Sequence, residues 1–289
     1  MTTKFPQSEI LPLPTDVNAL ANRINLSTRK AHNKIDRQVS TKFIIALRDG
    51  KIYRQGLQGF YHVFKNVEIL INKELQSSNS KVGKILKEFW NPLIARTEAL
   101  EQDLLYFYGG DRSKFETPIR NEQIEFVNHI YKTYQLKPHI LIAYCHVMYL
   151  ALFAGGRLML SSLTKATGIF PHVEGQTIED VSKKGTNLFR FDVQDDESFR
   201  LGYKRDYELA TRLSLTEEEK LDIIEESNYI FEQNSKFITE LEIHNRSKIT
   251  KKLSYKILHY GYYVIISILI LLTIIILRRI INHLIGLEL

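Results

Sequence analysis

The 289-residue sequence predicts an all-α protein, a single helical domain followed by a C-terminal transmembrane helix. Three observations carry that reading. Apolar residues recur at helical spacing through most of the chain, and no useful length alternates apolar with polar as a half-buried strand would. A charge-free run covers Tyr260 to Leu277. Taken from Ile257, it is long enough to cross a hydrocarbon core of roughly 30 Å as a helix.

In chain order, residues 1–15 hold three of the seven prolines and read as a disordered lead-in. Val17, Leu20, Ile24 and Ala31 begin the first apolar stripe, and Leu57, Phe60, Phe64, Val67 and Leu70 or Ile71 form the next. Ile85, Phe89, Leu93, Leu100 and Leu104 follow, with a break or kink expected at Pro92. Spans 119–134 and 138–165 read as two further helices, and 167–195 as a long loop. A helix over 199–211 precedes a strong start signal, Thr216 with Glu219 three residues on, which forms a capping box for a helix reaching about Asn245. Domain boundaries follow: a helical domain over 16–245, a basic juxtamembrane linker over 246–256, the anchor over 257–277 and a short tail over 278–289.

Composition is ordinary, 44% hydrophobic and 25% charged, which fits a globular part before the anchor. Part of the net charge of +6 flanks the anchor: Lys248, Lys251, Lys252 and Lys256 before it, Arg278 and Arg279 after it. Such residues meet lipid head groups and require no nucleic-acid partner. The lone Cys145 excludes an intramolecular disulfide and agrees with a reducing compartment. No apolar signal region opens the chain, so the expected placement is a tail-anchored domain facing the cytosol.

No phosphate loop, zinc spacing or serine-hydrolase elbow is present. Three local patterns bear on chemistry. His32 lies on an early helix, with Asp36 four residues on along the same face. It is either an iron ligand, with Asp36 fixing its tautomer, or a partly buried histidine. Gly155-Gly156 interrupts a good helix, either to kink it and admit a flat ligand or to mark a boundary or tight crossing. Arg200 and Lys204 share one helix face, suited to gripping carboxylates or simply solvated.

Together these patterns resemble the haem (heme) oxygenase family. The matching strings are Ala99-Leu-Glu-Gln-Asp-Leu104 followed by Tyr108-Gly109, Thr28-Arg-Lys-Ala-His32, Phe60-Tyr-His-Val-Phe64, Gly155-Gly156, Phe199-Arg200…Tyr203-Lys204 and Phe231…Asn234. They occur in family order, cover about 16–245, and precede a tail anchor like that of the mammalian members.

The resemblance implies haem b between the helix of His32 and the kinked helix of Gly155-Gly156. His32 would ligate iron, with Asp36 where the family has a supporting glutamate. Arg29, Arg200 and Lys204 would contact the propionates, and His146, in place of a tyrosine, would donate to one. Asn25 stands where the family has another lysine, whose role is either missing in this chain or taken over by Arg23. Tyr149 and Phe231 would border the haem, and Asn234 is retained. On the distal side Leu152 replaces the family's aspartate, Phe64 its tyrosine partner and Met148 an arginine. The implied activity is cleavage of haem with O2 to biliverdin, carbon monoxide and ferrous iron, serving haem degradation and iron recovery. Electrons would come from NADPH through a flavoprotein reductase. The expected location is the endoplasmic reticulum membrane, with the mitochondrial outer membrane as runner-up. The competing readings are a haem-binding sensor or buffer, because of Leu152, and a helical scaffold that binds no haem.

Overall fold

The computed structural model describes residues 12–13, 15–46, 49–166, 168–251 and 253–284. Most of the lead-in expected over 1–15 lies outside them, as do residues 285–289 of the tail. Among the described residues there are helices and turns and no strand. The chain divides into two compact units, Met1–Leu241 and Glu242–Leu289.

The first helix, α1 (Leu20–Ala46), buries Leu20, Ile24 and Thr28, one residue per turn. Val17, expected to open this stripe, lies ahead of the helix and is exposed. α2 (Gly50–Gln76) starts at Asp49, whose carboxylate accepts from the Lys51 N–H at 2.9 Å. Its buried face, which includes Leu57, Tyr61, Phe64, Val67 and Ile71, makes it the centre of the core. Against it pack α3 (Lys81–Phe89), α4 (Thr97–Phe107) and α5 (Asn121–Leu136). The break expected at Pro92 is there, as a 3-10 turn over Pro92–Ile94 that separates α3 from α4.

α6 runs through Leu141–Tyr144, a π turn Cys145–Tyr149 and Leu150–Thr164. Residues Ile140 to Tyr144 are fully buried, so this apolar stretch is core. The loop expected over 167–195 contains a short helix, α7 (Ile178–Lys183), capped by Thr177, and a 3-10 turn Asn187–Phe189. Elements this short leave no readable periodicity. α8 (Asp196–Arg212) begins at Asp195, whose carboxylate accepts from two N–H groups. α9 (Glu217–Lys251) opens with the expected capping box: Glu219 N–H donates to Thr216 Oγ1 at 3.2 Å and Thr216 N–H to the Glu219 carboxylate at 2.7 Å. The helix passes its expected end at Asn245, and the stretch read as a linker is helical on both sides of residue 252.

In the second unit, α10 (Leu253–Leu284) contains a span over Tyr260–His283 that is long and apolar enough to cross a membrane, its large side chains exposed.

Gly83 marks a close approach of helix to backbone. A Cβ there would lie 2.1 Å from the Glu74 carbonyl oxygen, a backbone atom that cannot swing away. Gly83→Ala is therefore expected to destabilise the domain by about 1–3 kcal/mol, read as a lowered denaturant midpoint at unchanged slope.

Candidate functional site

The site is organised by a bend. Pro138–Phe153 and Gly155–Thr164 meet at 44°, so the expected kink is present at the glycine pair. Just upstream, the π turn disturbs the regular ladder of α6. Two carbonyls there accept from outside the helix: Tyr203 Oη donates to Cys145 O at 3.0 Å and Tyr207 Oη to Ile142 O at 3.2 Å. Both tyrosines come from α8 and are buried. A methyl group at Gly155 would meet no atom within 4 Å, whereas at Gly156 it would come 3.5 Å from Phe189 Cδ1. The flank of Gly155 is thus open space, the cradle that a flat ligand needs.

α1 and α9 face this helix. His32 is exposed on α1, and its ring lies edge-on to Phe231 of α9, centroids 5.8 Å apart. One turn on, buried Asn234 points its amide at Met148 Sδ, 3.6 Å away, and donates to Ile230 O at 2.8 Å. His146 Nε2 lies 3.1 Å from Asn25 Oδ1, joining α6 directly to α1. His32, Phe231, Asn234, Met148 and His146 are therefore linked through neighbouring contacts. Arg29 and Asp36 are exposed on α1, and among the described residues no hydrogen bond joins Asp36 to His32, so the expected carboxylate–imidazole pair is not formed.

Arg200 and Lys204 stand one turn apart on α8. The Arg200 guanidinium pairs with Glu197 of the same helix. Half-burial, and then the charge of Arg200, lower the Lys204 ammonium below its ordinary range. His146 is held down to about 4, first by burial and then by Lys204. With Asn25 Oδ1 facing Nε2, its proton sits there, and Nδ1 is left buried without a hydrogen-bond partner. In this tautomer Nδ1 is a bare acceptor and the one N–H faces Asn25.

Tyr149 backs the site rather than lining it. It is fully buried, donates to Glu68 at 2.9 Å, and packs edge-on against Phe64 at 5.0 Å and Trp90 at 5.1 Å. Beside the bend lies a cavity of about 300 Å³ whose apolar lining is Leu152, Phe153, Phe189 and Phe191. Its charged lining is two pairs, Arg157 with Asp196 at 3.5 Å and Arg200 with Glu197. Every carboxylate here already has a guanidinium, and none replaces an acid at Leu152. Sequence reasoning missed Phe189 and Phe191, whose only signal is the apolar triplet Leu188-Phe189 and Phe191 inside the loop.

The exposed imidazole of His32, the open flank of Gly155 and the cations of α8 together suit a flat, apolar, dianionic ligand carrying a metal. Comparison with known proteins agrees. Residues 18–240 match the family model described as heme oxygenase. The heme-binding protein HMX1 of Saccharomyces cerevisiae is 40% identical, with 88% of this chain and 84% of that protein covered. The heme oxygenase of the alga Porphyra purpurea is 26% identical over 78% of this chain and 87% of its own. The solved structure of heme oxygenase-1 from the cyanobacterium Synechocystis, in complex with heme, is similar with a TM-score of 0.64 at 23% identity, covering 86% of this chain and 99% of that one.

Burial holds both His62 and His146 down to about 4, against an ordinary 6.5. Their contribution to stability is intact above 6.5 and is lost as pH falls toward about 4, because only the unfolded chain takes up the protons. Asp103, pushed up to about 7 by burial, acts in the opposite sense over an overlapping range. His62→Gln is expected to flatten the acid-side loss of stability, measured by denaturant unfolding across this range; an unchanged slope would refute the assignment.

Proposed function

We propose a specific course of haem cleavage for this chain, which belongs to the haem oxygenase family. The protein is a haem-degrading oxidoreductase, converting haem with O2 and supplied electrons to biliverdin, carbon monoxide and ferrous iron. The observation that carries the reading is the pairing of an exposed His32 on α1 with the bent, open-flanked α6, the two helices joined by His146 and Asn25. Bound haem supplies both the iron that activates oxygen and the porphyrin that is cleaved.

The chain's own residues hold and orient it. His32 offers an imidazole nitrogen to iron. Phe231 borders the ring on that side, and Tyr149 supports the opposite helix from behind. Arg29, Arg200 and Lys204 take the propionates, Arg200 exchanging Glu197 for one of them. Gly155 and Gly156 let the α6 backbone approach the flat face. Leu152 offers no carboxylate, so ordered water near the reacting edge rests on backbone carbonyls by Gly155 and on Asn234. His146 accepts a hydrogen bond from such a water rather than donating to a propionate.

Electrons arrive from an NADPH-dependent flavoprotein reductase. The exposed Lys30, Lys34 and Arg37 of α1 suit docking to an acidic partner, which makes turnover salt-sensitive. The Tyr260–His283 helix anchors the protein. Our reading places it in the endoplasmic reticulum, with the mitochondrial outer membrane as runner-up, in a role of iron recovery. A second reading, haem binding without cleavage, is favoured by the apolar Leu152, Phe64 and Met148.

Detergent-solubilised full-length chain, mixed with haem, reductase, NADPH and catalase, is expected to lose its Soret band as biliverdin and carbon monoxide appear. A stable complex that only reduces and binds oxygen would favour the second reading, and Leu152→Asp would then be expected to restore cleavage. His32→Ala is expected to shift the Soret band and lower turnover about 100-fold or more. Gly155→Ala is expected to preserve the fold, whose own atoms leave that flank free, and to weaken haem binding at least about tenfold through steric conflict, read by haem titration.

A further inference from the structure

The string Ala99–Leu104, the clearest family match in the sequence, makes none of the contacts described for the pocket. Its Asp103 is fully buried on α4. The Asp103 carboxylate accepts from Asn187 N at 2.7 Å, Asn187 Nδ2 at 2.8 Å and Leu188 N at 2.9 Å. At the other end of α4, the guanidinium of buried Arg96 donates to Arg190 O at 2.7 Å and Leu188 O at 3.4 Å. It also lies 4.1 Å over the Phe191 ring. A carboxyl group thus holds the amides of strap 187–191 and a guanidinium holds its carbonyls.

The strap has little structure of its own, one 3-10 turn. What it carries is the aromatic wall of the cavity. Phe189 stands where a methyl on Gly156 would touch it, and Phe191 stacks on Phe153 of α6, centroids 4.6 Å apart. The network continues to the bend, because Glu68 Oε1 accepts from Arg96 N at 2.6 Å and from Tyr149 Oη at 2.9 Å. Burying separate charges is costly, and covering α4 with apolar residues would suffice for folding alone. Leu152 provides no polar hold on ligand or water, so the shape of this wall adds to the propionate contacts in steering the ring.

We propose that Arg96 and Asp103 are positioning residues for the cleavage reaction, fixing strap 187–191 so that Phe189 and Phe191 form a rigid wall that selects which meso edge of the porphyrin faces oxygen. The proposal rests on the haem-cleaving reading. It is tested on the full-length chain with Asp103→Asn, which turns an amide donor toward strap donors, and with Phe191→Leu, which alters the wall and leaves both hydrogen-bonding latches intact.

In haem-free protein, Asp103→Asn should speed amide exchange at Asn187 and Leu188 about tenfold, the loss of roughly one charge-assisted hydrogen bond. Haem affinity should stay within about threefold, a change under 1 kcal/mol. Both variants should turn a single biliverdin isomer into a mixture. Faster exchange with an unchanged isomer ratio in both variants would overturn the proposal. If Asp103→Asn does not fold, Phe191→Leu decides: a mixture supports the wall and a single isomer refutes it. If the unsubstituted chain binds haem without cleaving it, the enzymatic reading fails separately, and the infrared C–O stretch of the carbon monoxide complex reads the wall instead. A band broadened in both variants would support the rigid wall, and identical bands in all three proteins would refute it.

Discussion

A π turn inside α6 places carbonyls where side chains of another helix can reach them, and that constraint fixes much of the site. Tyr203 and Tyr207 of α8 reach those carbonyls with their hydroxyls. Phe89 of α3 meets both rings edge-on, at 5.6 and 5.2 Å, and so locks the hydroxyls in place. Lys204 follows Tyr203 in sequence and Arg200 precedes it by less than a turn. The cations are therefore placed by neutral hydrogen bonds made next door. Their own charges oppose one another, and burial of Lys204 adds to that cost.

Charge in this domain is sorted by depth. Around the cavity each carboxylate is matched by a guanidinium, Asp196 by Arg157 and Glu197 by Arg200, leaving the apolar part to Leu152 and phenylalanines. Deeper in, Glu68, Arg96 and Asp103 are held mostly by backbone groups rather than by one another. Backbone partners have fixed directions, so this arrangement gives geometric definition where a side-chain ion pair would give chiefly attraction. Residues 64, 148 and 152 are phenylalanine, methionine and leucine, all apolar. A buried polar frame is nevertheless present one layer behind.

The sequence made the long elements legible because each buries one stripe for many turns, as α2 does from Ile52 to Ile71. Local chemistry was legible too: Thr216 with Glu219 announced the start of α9, Pro92 announced a break, and Gly155-Gly156 announced the bend. The π turn left no trace, since inserting one residue into a buried helix changes no composition. The strap was hidden for a different reason. Six-residue α7 and the three-residue turn at Asn187–Phe189 span fewer than two helical periods, and strap 187–191 is held by Arg96 and Asp103, far away in sequence. His146 shows a third limit. Its residue type was read correctly, but which nitrogen carries the proton depends on Asn25, a partner from another helix.

The chain contains one tryptophan, Trp90, and it stands half-buried and perpendicular to Tyr149, directly behind the bent helix. Its ultraviolet emission therefore comes from one known place. A porphyrin settling against the far side of α6 would absorb in the range where that indole emits and drain its excited state. Occupancy of the pocket is thereby written into the intrinsic fluorescence of the protein, which needs no added label and responds to ligand arrival before any bond is broken.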